Sequence, residues 1–454
     1  MASRPGTTGI AHAAGSRPLA MVAALVILTS ACGGRPVARS IGPGATQQPS
    51  GASQAPVTGT ITVWTIPQGD DEIPIKAYKK AFEQENPGAN VRIVVVPEDG
   101  YTPKVQTALQ AGNPPDVALL EPDLIATMKA GRWVDLVPFF KTWGVNPADF
   151  NAGGLSRATI ENDQSKGIFA IGDFLGGNVL VYNKKLFAAA GVDTPPVDRS
   201  LTYQEYDKVC RAIGHPGPDP EKVTYGCSVP DFGYLFAPVF GENGHKASGY
   251  MNAPKVAEAF LIGAALIRDG YAPGSALLDT IGESDLFAQG KLGITWTDFT
   301  EIPKYKQNGI DFGVAPFYVI AGEPSYVDTY TAAWGTMKGA KNPEGALAFL
   351  RFIATDAQRI RPQVTADPPL STKVATEIGY GKDDPIKEQY LQVLKLAPPP
   401  DFVPPGVDAW DPAEVLRLLT VEKRTDAQTI LDAMAAKSQP QLDRAWREWE
   451  SLGS

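Results

Sequence analysis

The stretch TGTITVWTI, Thr58 to Ile66, alternates its side chains with period two and is rich in β-branched residues, the pattern of a half-buried strand. The segments after it set the fold class. Pro74, Ile75, Tyr78 and Phe82 recur at helical spacing until Asn86-Pro87-Gly88 stops the helix. VRIVVV, from Val91 to Val96, reads as a second strand, the segment from Pro103 to Ala111 as a helix, and DVALL, from Asp116 to Leu120, as a third strand. Strand, helix, strand, helix, strand is the rhythm of an α/β unit on a largely parallel sheet. The strands end at Ile66 and Leu120 in loops crowded with polar groups, and open α/β sheets place ligands at such ends.

A second set of elements lies further along the chain. NVLVYN, Asn178 to Asn183, leads into a helix from Lys184 to Ala190 that Gly191 ends, and Tyr203 to Ile213 and Pro254 to Arg268 are helical, the latter capped by Asp269-Gly270. LFAQGKLGITW, Leu286 to Trp296, turns from helix to strand at Gly290. Further helices are expected from Pro343 to Ile353, Ala413 to Leu419 and Thr425 to Ala436. Roughly 395 ordered residues exceed what one core holds, so two lobes are expected.

The N-terminal part is different in kind. The apolar run LAMVAALVIL, Leu19 to Leu28, is half the length of about 20 residues that a membrane span needs. With Arg4 and Arg17 before it and Ser30 and Ala31 after it, residues 1–31 read as a cleaved export signal, with Met21 as an alternative start. LTSACGG, Leu28 to Gly34, resembles the lipobox of bacterial lipoproteins, which implies lipidation of the Cys32 thiol. It departs from that pattern in carrying Thr29 where leucine is preferred, the leucine being Leu28. A plain secretory signal with an incidental cysteine is the alternative. Residues 32–57, rich in Gly, Pro, Ser and Gln without apolar period, form a flexible tether.

Removing residues 1–31 moves the formal charge from −9 to −11, an acidic balance that argues against a nucleic-acid partner. Besides Cys32 the mature chain holds Cys210 and Cys227, spaced to form a disulfide in an oxidising compartment; two buried thiols are the alternative. His215 and His245 have no second soft ligand at convincing spacing, so neither a metal nor a cofactor is expected.

Five segments, taken in order, carry a resemblance: VWTI (63–66) with AYKKAFEQE (77–85) and Asn86-Pro87-Gly88; GNPPDV (112–117); LVYNKKLF (180–187) with Ala190-Gly191 and Pro195-Pro196; FAQGKLGI (287–294); and KNPEGALAFL (341–350). The chain resembles the bacterial solute-binding proteins of the maltose-binding type, which feed ABC importers of sugars. The resemblance implies an α/β, two-lobe periplasmic-binding-protein fold (type II) with the ligand in the interlobe cleft, lobe 1 being 59–168 plus 325–372 and lobe 2 being 170–320 plus 375–454. It also implies a monomer, a carbohydrate ligand, ABC permease subunits as partners, and a place at the outer face of the cytoplasmic membrane.

By the same resemblance the cleft loops carry Gln68, Asp70 and Asp71 after the first strand, and Glu121 and Asp123 after the third. Across the cleft stand Asp173, Gly176 to Asn178, Tyr234, Asn243 and Thr297 to Asp298, with Tyr330, Trp334 and Trp410 from late segments. Carboxylates and amides suit the hydroxyls of a polyol, and a flat aromatic suits its apolar face. Each has a plainer reading: Asp70 and Asp71 as first-turn helix charges, Asp123 as a cap, and the tryptophans as core. Trp64, Trp446 and Trp449 read as packing residues. The sequence departs from the family in TDFT (297–300), where a tryptophan is common, and in AIGD (170–173), where a proline is common. Asp173 and Asp298, if both face the cleft, would repel a phosphate and suit a hydroxyl-rich or cationic ligand, since no Lys or Arg accompanies them.

A secreted glycoside hydrolase is the enzymatic alternative, since paired carboxylates could serve as acid and nucleophile. No nucleophile elbow, HExxH or phosphate-binding glycine motif is present. A polyamine or glycerophosphodiester is the alternative non-sugar solute.

Overall fold

A computed structural model describes residues 56–67, 72–219, 222–229, 239–325, 327–365, 367–397, 402–407 and 410–452. The opening rhythm is realised as β1 (Gly59–Thr65), α1 (Glu72–Glu85), β2 (Ala89–Val95), α2 (Glu98–Gln110), β3 (Val117–Leu119) and α3 (Ile125–Lys129). Alternation along β1 buries Ile61 and Val63. The stripe foreseen on α1 buries Pro74, Ile75, Tyr78 and Phe82, the last meeting Phe349 and Phe352 edge-on at 5.2 and 5.6 Å. Helix α2 begins at Glu98 rather than Pro103, which lies inside it. Glu98 and Asp99 in its first turn favour that earlier start through the helix dipole.

Next come β4 (Ile171–Gly172), β5 (Gly176–Asn183), α4 (Tyr203–Ile213), α5 (Pro254–Arg268), β6 (Ile294–Thr297), β7 (Phe312–Ala315), β8 (Asp328–Tyr330) and β9 (Ala333–Gly335). The chain ends with α6 (Pro343–Ala354), α7 (Ala357–Val364), α8 (Pro385–Leu394), α9 (Pro412–Thr420) and α10 (Ala427–Ser451). The first sheet has the order β2-β1-β3-β9-β4. β1 is parallel to β2 and β3, while β9 is antiparallel to β3 and β4. The Asp116 carboxylate, just before β3, accepts from Thr62 N at 2.8 Å and Asn342 N at 2.7 Å, tying β1 and the start of α6 to the sheet.

The second sheet is antiparallel, with β5 between β6 and β7 and with β8 on the first residues of β5. Leu180 of β5 packs with α4, α5 and α9 on one side, and Val179 and Val181 join the other core, which includes α8. Cys210 of α4 and Cys227 form a disulfide in the first of these cores.

The chain passes from the first sheet to the second between β4 and β5 and returns between β8 and β9. A third stretch lies beside the first: Phe174 bridges Pro369, and Leu175 N donates to Pro368 O at 2.9 Å. Two glycines permit this closeness. A Cβ on Gly172 would stand 1.9 Å from the Thr331 hydroxyl, and one on Gly176 would stand 2.3 Å from the Tyr330 ring.

Candidate functional site

The C-terminal ends of β1 and β3 lie side by side, since Trp64 pairs with Ala118. Beyond β3, Glu121 has extended backbone and leads a short 3-10 turn, Pro122–Leu124, that its side chain does not cap. Half-burial raises the pKa of its carboxyl, and the neighbouring charges of Glu98 and Asp123 raise it further. Among the described residues no hydrogen bond or ion pair engages the Glu121 carboxylate. Asp123 is exposed in the same turn. Gln68 and Asp70, with Asp71, which follow β1 in the sequence, lie outside the described residues, as does Tyr234.

A second group gathers at the start of β5. Asn178 pairs in register with Asp328 of β8, and Gly176 with Tyr330. Thr297 pairs with Val179, so Asp298 sits next to Asn178 across the strands. Asp298 caps the turn after β6, accepting from Thr300 N at 2.8 Å and from the Thr300 hydroxyl at 2.5 Å. Tyr330 is half-buried and meets Phe174 edge-on at 6.0 Å. Below this group Tyr390 donates to Gly177 O at 2.7 Å; burial raises its pKa far above the usual range, helped by Tyr330 and Asp298.

Other expected cleft residues are placed differently. Asp173 is fully buried, accepts from the Tyr78 hydroxyl and lies 3.4 Å from an Arg361 nitrogen. Arg361 also grips Asp367 at 2.5 Å, and its guanidinium carbon stands 4.0 Å from the centre of the Phe174 ring. Asp173 is therefore part of a buried staple where the crossing segments meet, and the expectation that no cation accompanies it is corrected by Arg361. Trp334 is 2% exposed in β9, between Leu119 and Ile171, which makes it core. Trp410 is half-buried and wedged edge-on against Phe260 at 6.0 Å. Asn243 is exposed and lines a concavity with Trp446 whose lining does not include Asn178.

Sequence reasoning missed Glu98 and Arg361. Glu98 is brought to Glu121 only by the sheet. Gln358 and Arg361 continue the apolar stripe that Ala357 begins on α7, and such a placement is the one cue to their burial.

The family described as bacterial extracellular solute-binding protein matches residues 69–360. The chain is 28% identical over 304 residues to a binding protein of Brucella abortus (strain 2308), covering 61% of this chain and 67% of that one. It is 23% identical over 379 residues to the maltodextrin-binding protein MdxE of Bacillus subtilis (strain 168), covering 78% and 84%. The solved structure of the sugar-binding protein MalE of Xanthomonas citri superposes with a TM-score of 0.68 at 16% identity, covering 87% of this chain and all of that one. The match over residues 69–360, together with the two sheets and their crossing segments, makes this chain a member of the bacterial extracellular solute-binding protein family.

Proposed function

We propose that the chain captures a neutral carbohydrate, a mono- or oligosaccharide or a related polyol, in the cleft between its lobes and hands it to the permease subunits of an ABC transporter. Lobe 1 comprises residues 59–168 plus 325–372, and lobe 2 residues 170–320 plus 375–454. Residues 1–31 are removed on export, and Cys32 is lipidated, so the tether 32–57 holds the monomeric body at the outer face of the cytoplasmic membrane.

The observation that carries the reading is Glu121: a half-buried carboxylate at the end of a sheet strand, without a cation or a capping role among the described residues. Such a group has open acceptor positions, and the hydroxyls of a polyol fill them. Asn178, Asp298 and Tyr330 supply further polar contacts from the other side, with Gln68, Asp70, Asp123, Tyr234 and Trp410 as additional contacts. A ligand touching both lobes favours the closed arrangement, which the permease reads. Maltodextrin as the ligand of one relative supports the carbohydrate class.

A polyamine is the second reading, favoured by the grouping of Glu98, Glu121 and Asp123. Thermal unfolding with a panel of sugars, polyols, polyamines, amino acids and glycerophosphodiesters separates the two. A ligand that binds only the native state raises stability by RT ln(1 + [L]/Kd), about 4 kcal/mol at a thousandfold excess over Kd. A rise with one sugar class is expected. A response to a polyamine alone would sink the carbohydrate assignment, and silence throughout would sink the capture function.

A further inference from the structure

Two neighbouring side chains of α7 hold the same pair of crossing stretches. Gln358, fully buried, donates to Gly172 O at 2.7 Å in the first stretch and accepts from Ser371 N at 3.0 Å in the third. Arg361, also buried, meets Asp173 of the first stretch at 3.4 Å and Asp367 of the third at 2.5 Å. Residues three apart share a helix face, so one face of α7 grips both stretches twice. α7 packs on α1, and Tyr78 of α1 donates to the same Asp173 carboxylate. Parting these groups would leave a buried charge without its partner, which is strongly unfavourable.

The grip reaches as far as Leu175. Leu370 N donates to Asp173 O at 3.4 Å, Phe174 bridges Pro369, and Leu175 N donates to Pro368 O at 2.9 Å, so residues 173–175 run along 368–370. Leu175 also lies against the short helix Ala152–Ser156, where a Cβ on Gly154 would stand 3.2 Å from its methyl.

Two residues further on, the chain is held from the other side. Gly177 O accepts from Tyr390 of α8 at 2.7 Å, and Gln389 of that helix accepts from Val314 N of β7 at 3.2 Å. Gly177 also pairs with Thr329 of β8. Between these two grips lies Gly176. A Cβ there would stand 2.3 Å from the Tyr330 ring, and that ring meets Phe174 edge-on at 6.0 Å. Tyr330 therefore spans the change of hold, seated on Gly176 and against a residue of the first grip.

We infer that Gly176 is the pivot of the first crossing stretch. The chain up to Leu175 moves with lobe 1 through Gln358 and Arg361, the chain from Gly177 moves with lobe 2 through Tyr390, and the Tyr330 ring rests on the joint. The inference rests on the bending of two lobes in the proposed function and not on the class of ligand.

Interlobe distances between spin labels at Lys80→Cys and Lys208→Cys, exposed positions on α1 and α4, test it without ligand in the full-length chain carrying Cys32→Ser. A Cβ at Gly176 disfavours the seat of the Tyr330 ring. In Gly176→Ala the population at the wild-type distance should therefore fall against displaced ones by at least about fivefold, the equivalent of about 1 kcal/mol of overpacking strain. Adding Tyr330→Ala makes room for the Cβ and should bring the populations to within about twofold of those of Tyr330→Ala alone. A Gly176→Ala distribution that matches wild type would overturn the assignment, as would a shift that the second substitution leaves in place. Where Gly176→Ala does not fold, Tyr330→Ala alone decides: loss of the ring should broaden the distribution, and an unchanged width would overturn the pivot. Distances that respond in this way while no sugar raises thermal stability would leave the pivot standing and sink carbohydrate capture.

Discussion

The binding role proposed for Glu121 conflicts with stability. Half-burial and the charges of Glu98 and Asp123 all disfavour its ionised form. Glu121→Gln should raise the stability of the ligand-free chain at pH 7 by about 0.5–1 kcal/mol in urea titrations. The same change should weaken carbohydrate binding at least tenfold, about 1.4 kcal/mol, by calorimetry. Because the folded pKa lies above the ordinary 4.5, the penalty is absent below pH 4.5 and grows as pH rises through the folded pKa, so the stability gain of the variant vanishes in acid. The half-buried, non-capping place of Glu121 had a cue in the sequence, since a carboxylate just past an apolar strand has little structural reason to be there. Asp173 was misread because its partner Arg361 is 188 residues away and nothing local announces it. Trp334 belongs to a strand of three residues, too short for alternation to show among its glycine and alanine neighbours.

The helix expected from Thr425 to Ala436 runs on to Ser451 through Pro440. The proline removes one backbone hydrogen bond, but Leu442, Ala445 and Trp449 extend the buried stripe past it, and tertiary packing overrides the local stop. Trp449 was expected to pack, and it does, at 2% exposure; it also donates to Glu161 while Lys129 stands 5.4 Å from the centre of its ring. Partial burial pushes the Glu161 carboxyl up, yet hydrogen bonds from Lys166, Trp449 and Lys129 outweigh it and hold the pKa at about 2. Stability from these contacts is complete above the ordinary 4.5 and is lost as pH falls from there toward about 2. Trp449→Phe keeps a ring and removes the donor. It should cost about 1–2 kcal/mol at pH 7 in urea, and the difference from wild type should shrink between pH 4.5 and 2.

At the scale of the molecule, the α/β rhythm and the order of segments were enough to anticipate two lobes. The antiparallel character of the second sheet and the packing of the three crossing stretches were not legible, because both depend on pairings between distant segments. Hinge bending about those stretches predicts a lower radius of gyration in small-angle scattering when the carbohydrate identified by thermal unfolding is added. An unchanged profile at saturating ligand would mean that capture proceeds without closure.

The position of β9 bears on how such a chain comes into being. It lies between β3 and β4 in the first sheet, yet it is made some 160 residues after β4. A chain emerging N-terminus first can zip β1, β2 and β3 together early, but the edge of β3 stays open until Ala333–Gly335 arrives. The late strand works as a timer: it postpones the committed native state until about three-quarters of the polypeptide is available.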